Sequence, residues 1–281
     1  MRRRALWLVS LALLCPSRAS ATWSIVAVDP ATREVGVAGA SCIARAHAIA
    51  GLAPGRGAIA AQAMLNHGAR DYGQELLAGG ASPRAVIAAV ASAGFDSTAG
   101  VDTSRLRQYG VAALGFEDEP AAFTGSWTFA WQGHALAPGV SVQGNLLAGP
   151  AVVERALAAF TAPSPAGAAR LADRLLRSLE AGAVAGGDSR CLPEQAALSA
   201  FLMVAAPDDA PASPSLQLVF PEDAGEWAGP LRMLGAEFAQ RWRRYRGETT
   251  ELVPGDPERN PVRALRRLYE ARQSGVQDSV R

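Results

Sequence analysis

Short apolar runs cut by turn residues dominate the chain between Trp23 and Phe220. Residues 23–29 (WSIVAVD) and 34–40 (EVGVAGA) flank a Pro-Ala-Thr-Arg turn, which predicts an opening β-hairpin. Residues 57–63 (GAIAAQA) read as a third strand. Helices are predicted over 69–78 and 83–93, the second entered through Ser82 as N-cap and Pro83 in the first turn. Strands follow at 107–116, 121–124 and 140–145, then helices at 150–160 and 167–181. In the last helix Leu171, Leu175 and Leu179 fall on one face at a spacing of four. Residues 197–205 and 216–220 return to strand. Strands and helices in segregated runs predict an α+β fold of stacked layers rather than a wound βαβ sheet.

The pattern changes at both ends. Beyond Pro221, Leu231, Leu234, Phe238, Trp242 and Tyr245 form a helical stripe that ends in the basic run 241–246. A proline-containing linker and a short basic helix over 262–271 close the chain. At the start, three arginines precede an apolar run too short to span a bilayer, which takes about 20 apolar residues. Ala19-Ser20-Ala21 then fits the small-x-small rule for signal cleavage. The expected division is a signal peptide over 1–21, a domain over 22–222 and a C-terminal extension over 223–281. The expected location is outside the cytoplasm, with no integral membrane segment.

Net charge is +1, which gives no electrostatic reason for a nucleic-acid partner. All the basic residues other than histidine are arginines, so no lysine is available as base or Schiff-base former. With the signal removed, two cysteines remain, Cys42 and Cys191. An even pair in an exported chain reads as one disulfide, the bland alternative being two inert buried thiols. His47, His67 and His134 are scattered, and with two cysteines they make no metal-ligand spacing; His67 and His134 read as ordinary loop residues. The chain has no G-x-S-x-G elbow, Walker A loop or G-x-G-x-x-G fingerprint. No cofactor and no metal is expected.

Cleavage after Ala21 would leave Thr22 as a free N-terminus at the head of a strand. A hydroxyl is a weak nucleophile until a base takes its proton, and the residue's own α-amine, with a pKa near 8, is placed to do so. Taken alone, this residue is only what a signal peptidase accepts.

A set of ordered motifs changes its weight. SIVAVD at 24–29, GVAGASC at 36–42, GAIAAQA at 57–63, RQYG at 107–110, AFTG at 122–125, VQGNLLAG at 142–149, GGDSRC at 186–191 and the strand 196–204 occur in sequence. Together they resemble the domain-of-unknown-function family 1028 (DUF1028), from Thr22 to about Phe220, and the cysteine pair resembles its exported branch. The resemblance implies a four-layer αββα sandwich like that of the N-terminal-nucleophile hydrolases, with Thr22 as nucleophile. Proteasome-type sites add a lysine, which this chain lacks. Arg45, Arg190 or the α-amine alone is left for that task.

Further candidates surround this expectation. Ser41 ends the second strand and either faces the N-terminus or bonds its own backbone. Gln62 lies in an apolar strand and needs a partner if buried. Gln143, Gly144 and Asn145 offer an oxyanion donor set, glycine allowing close approach, or else a turn into the following helix. Asp188 orients the Thr22 amine or pairs with Arg190. Two functions follow: an exported amidohydrolase cleaving a small amide or peptide, or an inactive protein of the same fold that binds a ligand or envelope partner. Self-association is an open expectation. Intact-mass measurement of exported protein should find Thr22 as the first residue. A chain retaining Met1, or cut within 23–29, would contradict this reading.

Overall fold

The computed structural model describes residues 22–98, 101–163, 170–192, 194–221 and 260–275. The expected signal segment and the stripe between Leu231 and Tyr245 lie outside these residues. Strand β1 (Thr22–Asp29) turns through residues 30–33 into β2 (Glu34–Ser41). β3 (Ala50–Ala53) and β4 (Gly57–Ala63) lead to helices α1 (His67–Ala78) and α2 (Pro83–Val90). A small ribbon, β5 (Ser97–Thr98) with β6 (Val101–Asp102), precedes β7 (Arg107–Ala113), β8 (Ala121–Thr124), β9 (Gly133–Ala137) and β10 (Val140–Asn145). Helices α3 (Ala151–Thr161) and α4 (Leu171–Val184), strands β11 (Ser199–Ala205) and β12 (Leu216–Phe220), and helix α5 (Pro261–Gln273) complete the described chain.

This is an α+β fold with two main antiparallel sheets. The larger has the order β12-β11-β2-β1-β10-β9, and the smaller β3-β4-β7-β8. Pairing is antiparallel throughout both. Besides the two-residue strands of the small ribbon, two strands of these sheets were not predicted. β3 is a run of small residues, Ala-Gly-Leu-Ala, and β9 alternates half-buried with exposed positions, so neither carries a strong apolar signal. Each is a strand because a neighbour, β4 or β10, holds its backbone. His134 therefore lies in β9, and His67 opens α1, so neither is a loop residue.

The strand period of two divides β1 between two cores. Trp23, Ile25 and Ala27 join the cluster beneath α3, α4 and α5, which includes Val153, Phe160, Leu175, Leu179, Val262 and Leu265. Val26 and Val28 turn the other way, into the cluster between the sheets with Val37, Ala58, Ala60, Ala112 and Phe201. α1 and α2 cover the opposite side of the smaller sheet through Ile59, Leu77, Val86 and Val111. Gly182 lets α4 approach β1, since a Cβ there would sit 2.6 Å from Trp23 Nε1. The predicted N-cap forms: Ser82 accepts from Ala85 N, and Pro83 starts α2. No helix among the described residues is long and apolar enough to cross a membrane.

One buried ion pair fixes the ends of β4 and β7. Arg107 Nε and Nη2 donate to the Asp96 carboxylate at 2.6 and 3.0 Å, and Thr103 Oγ1 adds a bond of 2.8 Å. Arg107 Nη1 also donates to the carbonyls of Met64 and Leu65, just beyond β4. Burial disfavours the Asp96 anion, but the bonds from Arg107 and Thr103 outweigh it and hold the carboxyl below its ordinary value. A depressed folded-state pKa contributes stability that is complete above the unfolded value, about 3.9, and is lost as pH falls through the folded value. Denaturant midpoints should therefore drop as pH falls below about 4, and Asp96→Asn should flatten that slope while lowering stability at neutral pH. An unchanged slope in the variant would show that other carboxylates carry the acid response.

Candidate functional site

Cross-strand register places four polar residues in one row of the larger sheet. Ser199 of β11 opposes Ser41 of β2, Ser41 opposes Thr22 of β1, and Thr22 opposes Asn145 of β10. Directly opposed residues share a face of the sheet. Two residues along, Ser24 opposes Gln143, and Gln143 opposes His134. Ser24 Oγ donates to Gln62 Oε1 at 2.6 Å, so this face looks toward the smaller sheet, from which Gln62 projects. There Gln62, Gln108 and Thr124 form a matching row across β4, β7 and β8.

Between the rows lies a buried amide and hydroxyl network. Gln62 Nε2 donates to the Thr22 carbonyl at 3.1 Å and to Gln108 Oε1 at 2.8 Å. Asn145 Nδ2 donates to the same Gln108 oxygen at 3.1 Å. Gln108 Nε2 lies 2.9 Å from the Gly144 carbonyl, 3.1 Å from that of Gly133 and 3.0 Å from Thr124 Oγ1. Gln143 Nε2 donates to Ser24 Oγ at 2.6 Å, and its Oε1 accepts from Ser141 Oγ at 2.7 Å. The Gln143 amide fits only because Gly110 faces it: a Cβ at Gly110 would lie 2.0 Å from Gln143 Oε1.

Thr22 is the exception. It is fully buried in the chain that carries residues 1–21, and its Oγ1 has no hydrogen-bond partner. Its neighbour Ser41 is buried, and Ser41 Oγ accepts from Ile43 N at 3.3 Å. Ser199 Oγ donates to the Ile43 carbonyl and accepts from Ala46 N, tying the loop after β2 to β11.

Asp188 sits beside this row. Its carboxylate accepts from Cys42 N at 2.7 Å and takes both Nε and Nη2 of Arg190, at 3.0 and 2.8 Å. Of the two expected roles, pairing with Arg190 is the one these contacts display. Cys42 and Cys191 form a disulfide with Cα atoms 5.8 Å apart, within the usual range. Bond and carboxylate together join the end of β2 to the 186–191 loop. That loop also reaches the end of β10, where Ala148 N donates to the Gly187 carbonyl and Ser189 N to that of Leu146.

His134 Nδ1 lies 2.9 Å from Thr124 Oγ1, and burial pushes its pKa below the ordinary value. His47 is lowered too, by burial and then by the Arg45 charge. Among the described residues, no group of three or more His, Cys, Asp or Glu side chains could hold a metal ion.

A family model described as "Family of unknown function (DUF1028)" matches residues 22–222. The chain belongs to the DUF1028 family. One solved DUF1028 structure, protein SPO2555 from Silicibacter pomeroyi, aligns with 24% identity and a TM-score of 0.58 over 85% of this chain and 88% of its own. That likeness shows a shared fold. No curated protein matches the chain.

The row and network join Thr22, Ser41, Gln62, Gln143, Gly144 and Asn145 at one end of the layer between the sheets. Gln108, Ser24 and Ser199 were not singled out from sequence. Gln108 carries the same signal as Gln62, an amide inside an apolar strand. Ser24 was masked by its strand-forming neighbours. Replacing Gln108 by leucine should leave one Gln62 Nε2 hydrogen and one Asn145 Nδ2 hydrogen unpaired and remove a donor from the Gly144 carbonyl. Each such group costs about 1–3 kcal/mol, so Gln108→Leu should destabilise the protein by about 3 kcal/mol or more in denaturant unfolding. A loss well below that would mean that water replaces the amide.

Proposed function

We propose that this DUF1028 protein is an exported amidohydrolase that uses Thr22 as an N-terminal nucleophile after residues 1–21 are removed. The layers support a four-layer αββα sandwich of the N-terminal-nucleophile type, with α1 and α2 on one side and α3 and α4 on the other. The disulfide agrees with an oxidising compartment. The mature domain runs over 22–222, and α5, within the 223–281 extension, packs onto its core. The substrate is a small amide or peptide.

The observation that carries this reading is the unpartnered Thr22 hydroxyl. Buried polar groups are nearly always hydrogen-bonded, and those around Thr22 are. A nucleophile at the first residue of a central strand, left without a partner, is a group kept for a substrate or for its own α-amine. With no lysine in the chain, the α-amine is the base.

In this scheme Thr22 Oγ attacks the amide carbonyl and its proton passes to the α-amine. The resulting ammonium protonates the departing amine nitrogen as the C–N bond breaks, leaving an ester on Thr22. Water, deprotonated by the same amine, hydrolyses that ester. Asn145 Nδ2 has two hydrogens and gives one to Gln108. The other is the donor we assign to the oxyanion, an interaction worth about 10²–10³ in rate in well-studied hydrolases. Gln143, with both ends of its amide engaged, braces the strand instead.

The full burial of Thr22 favours a second reading, a non-catalytic protein of this fold that binds a ligand or envelope partner. Amide-panel assays on the chain beginning at Thr22 separate the two. Under the first, Thr22→Ala abolishes turnover without loss of fold, and Thr22→Ser retains part of it. One residue added ahead of Thr22 also abolishes turnover, because it converts the amine to a non-basic amide. Normal turnover by the extended chain would exclude the N-terminal-nucleophile mechanism.

A further inference from the structure

The loop between β8 and β9 holds three aromatic residues, and they are treated differently. Trp131 turns inward: it packs against the core beneath the helices, and a Cβ at Gly133 would lie 2.7 Å from its ring. Trp127 and Phe129 remain 53% and 45% exposed. Neither is needed outside to order the loop, because backbone bonds and Trp131 do that. Trp127 N donates to the Arg105 carbonyl at 2.9 Å, Gly125 N donates to Arg107 O, and Leu146 N donates to Phe129 O at 2.9 Å. Arg105 also lies over the Trp127 ring, 5.5 Å from its centroid.

These bonds place the loop beside the candidate site. Phe129 is joined to Leu146, the residue after Asn145, which opposes Thr22. On the other side Met64, 39% exposed, comes two residues after Gln62, whose amide holds the Thr22 carbonyl. Met64 N donates to the carbonyl of Leu106, next to the Arg105 that carries Trp127. Phe129, Trp127 and Met64 thus lie along one continuous backbone path around the polar row. Elsewhere two exposed aromatics, Tyr72 and Phe95, cover one another by stacking at 5.3 Å. A fixed loop with large apolar side chains facing solvent, next to a buried cluster of convergent polar groups, is how ligand sites are lined.

We infer that Trp127, Phe129 and Met64 form a specificity rim that receives an aromatic group borne by the amide next to its scissile carbonyl. This deepens the Thr22 reading and rests on it. The amide carbonyl reaches Thr22 and Asn145, while the aromatic group lies on the rim and excludes water from the attack.

The test uses the chain beginning at Thr22 and two β-lactones that differ only in a methyl or benzyl substituent beside the carbonyl. Thr22 Oγ adds to that carbonyl, the ring C–O bond opens, and the released alkoxide takes the proton from the α-ammonium. The whole probe mass stays on Thr22 as an ester. Intact mass gives the rate, and peptide mapping gives the site. The benzyl lactone should react roughly tenfold faster, which corresponds to an aromatic contact of about 1.4 kcal/mol. In Trp127→Ser, and more so in the Trp127→Ser/Phe129→Ser pair, that ratio should fall toward one, with melting curves confirming the fold. A ratio near one in the unaltered chain, or a ratio that survives both substitutions, overturns the rim and leaves Thr22 standing. Failure of both lactones to add at Thr22 overturns the nucleophile and the rim together.

Discussion

The demand of buried amides for hydrogen-bond partners sets the geometry of this protein. Gln62 and Gln108 project from the smaller sheet into a layer that, farther along, is closed by Val26, Val28, Val37 and Phe201. An amide there without partners would cost more than the burial of its carbons returns. Each finds its partners in the opposite sheet: Gln62 in Ser24 and the Thr22 carbonyl, Gln108 in Asn145 and the Gly144 carbonyl. The bonds work only in one register. A slip of β1 or β10 by one residue would turn Ser24 or Asn145 to the far face and bring Trp23 into the polar layer. The network is therefore a specificity device for the stacking of the two sheets as well as a frame for Thr22.

A second constraint holds the rim of that frame. The chain leaving β2 is tied to the 186–191 loop by the disulfide and by Asp188, which bonds Cys42 N and Arg190 at once. Backbone bonds from Ala148 and Ser189 tie the loop in turn to the segment after β10. The strands that flank β1 are thus linked beyond their ends, where ladder pairing stops. Arg107 performs the equivalent task for β4 and β7 through Asp96 and the carbonyls of Met64 and Leu65. Loops that would otherwise fray are fixed around the Thr22 hydroxyl, which lacks a partner.

Much of this was legible from local pattern. The opening hairpin, the helices after β4 and β10, and the closing strands follow from apolar runs, a Ser-Pro cap and leucines at a spacing of four. Those signals are read over a few residues, and packing confirms them. The short strands β3 and β9 were not legible, because small or half-exposed residues become strands only when a neighbour supplies the ladder. Gln62 was recognisable as a buried amide needing a partner, yet nothing local told which group, on which strand, would answer it. Gln108 carried the same sign in a segment read only as a strand and as part of the RQYG motif.

By itself, the sequence determined the α+β class, the family, the expectation that Cys42 pairs with Cys191 and the candidacy of Thr22. Each of these depends on composition, order or spacing along one chain. Only the tertiary structure decided that Ser199, Ser41, Thr22 and Asn145 form one row, that Asp188 is engaged by Arg190 and Cys42, and that Trp131 turns inward while Trp127 and Phe129 do not. Those outcomes join residues up to 177 positions apart (Thr22 to Ser199). Strand register and sheet stacking fix them, through long-range hydrogen bonds that no local window contains.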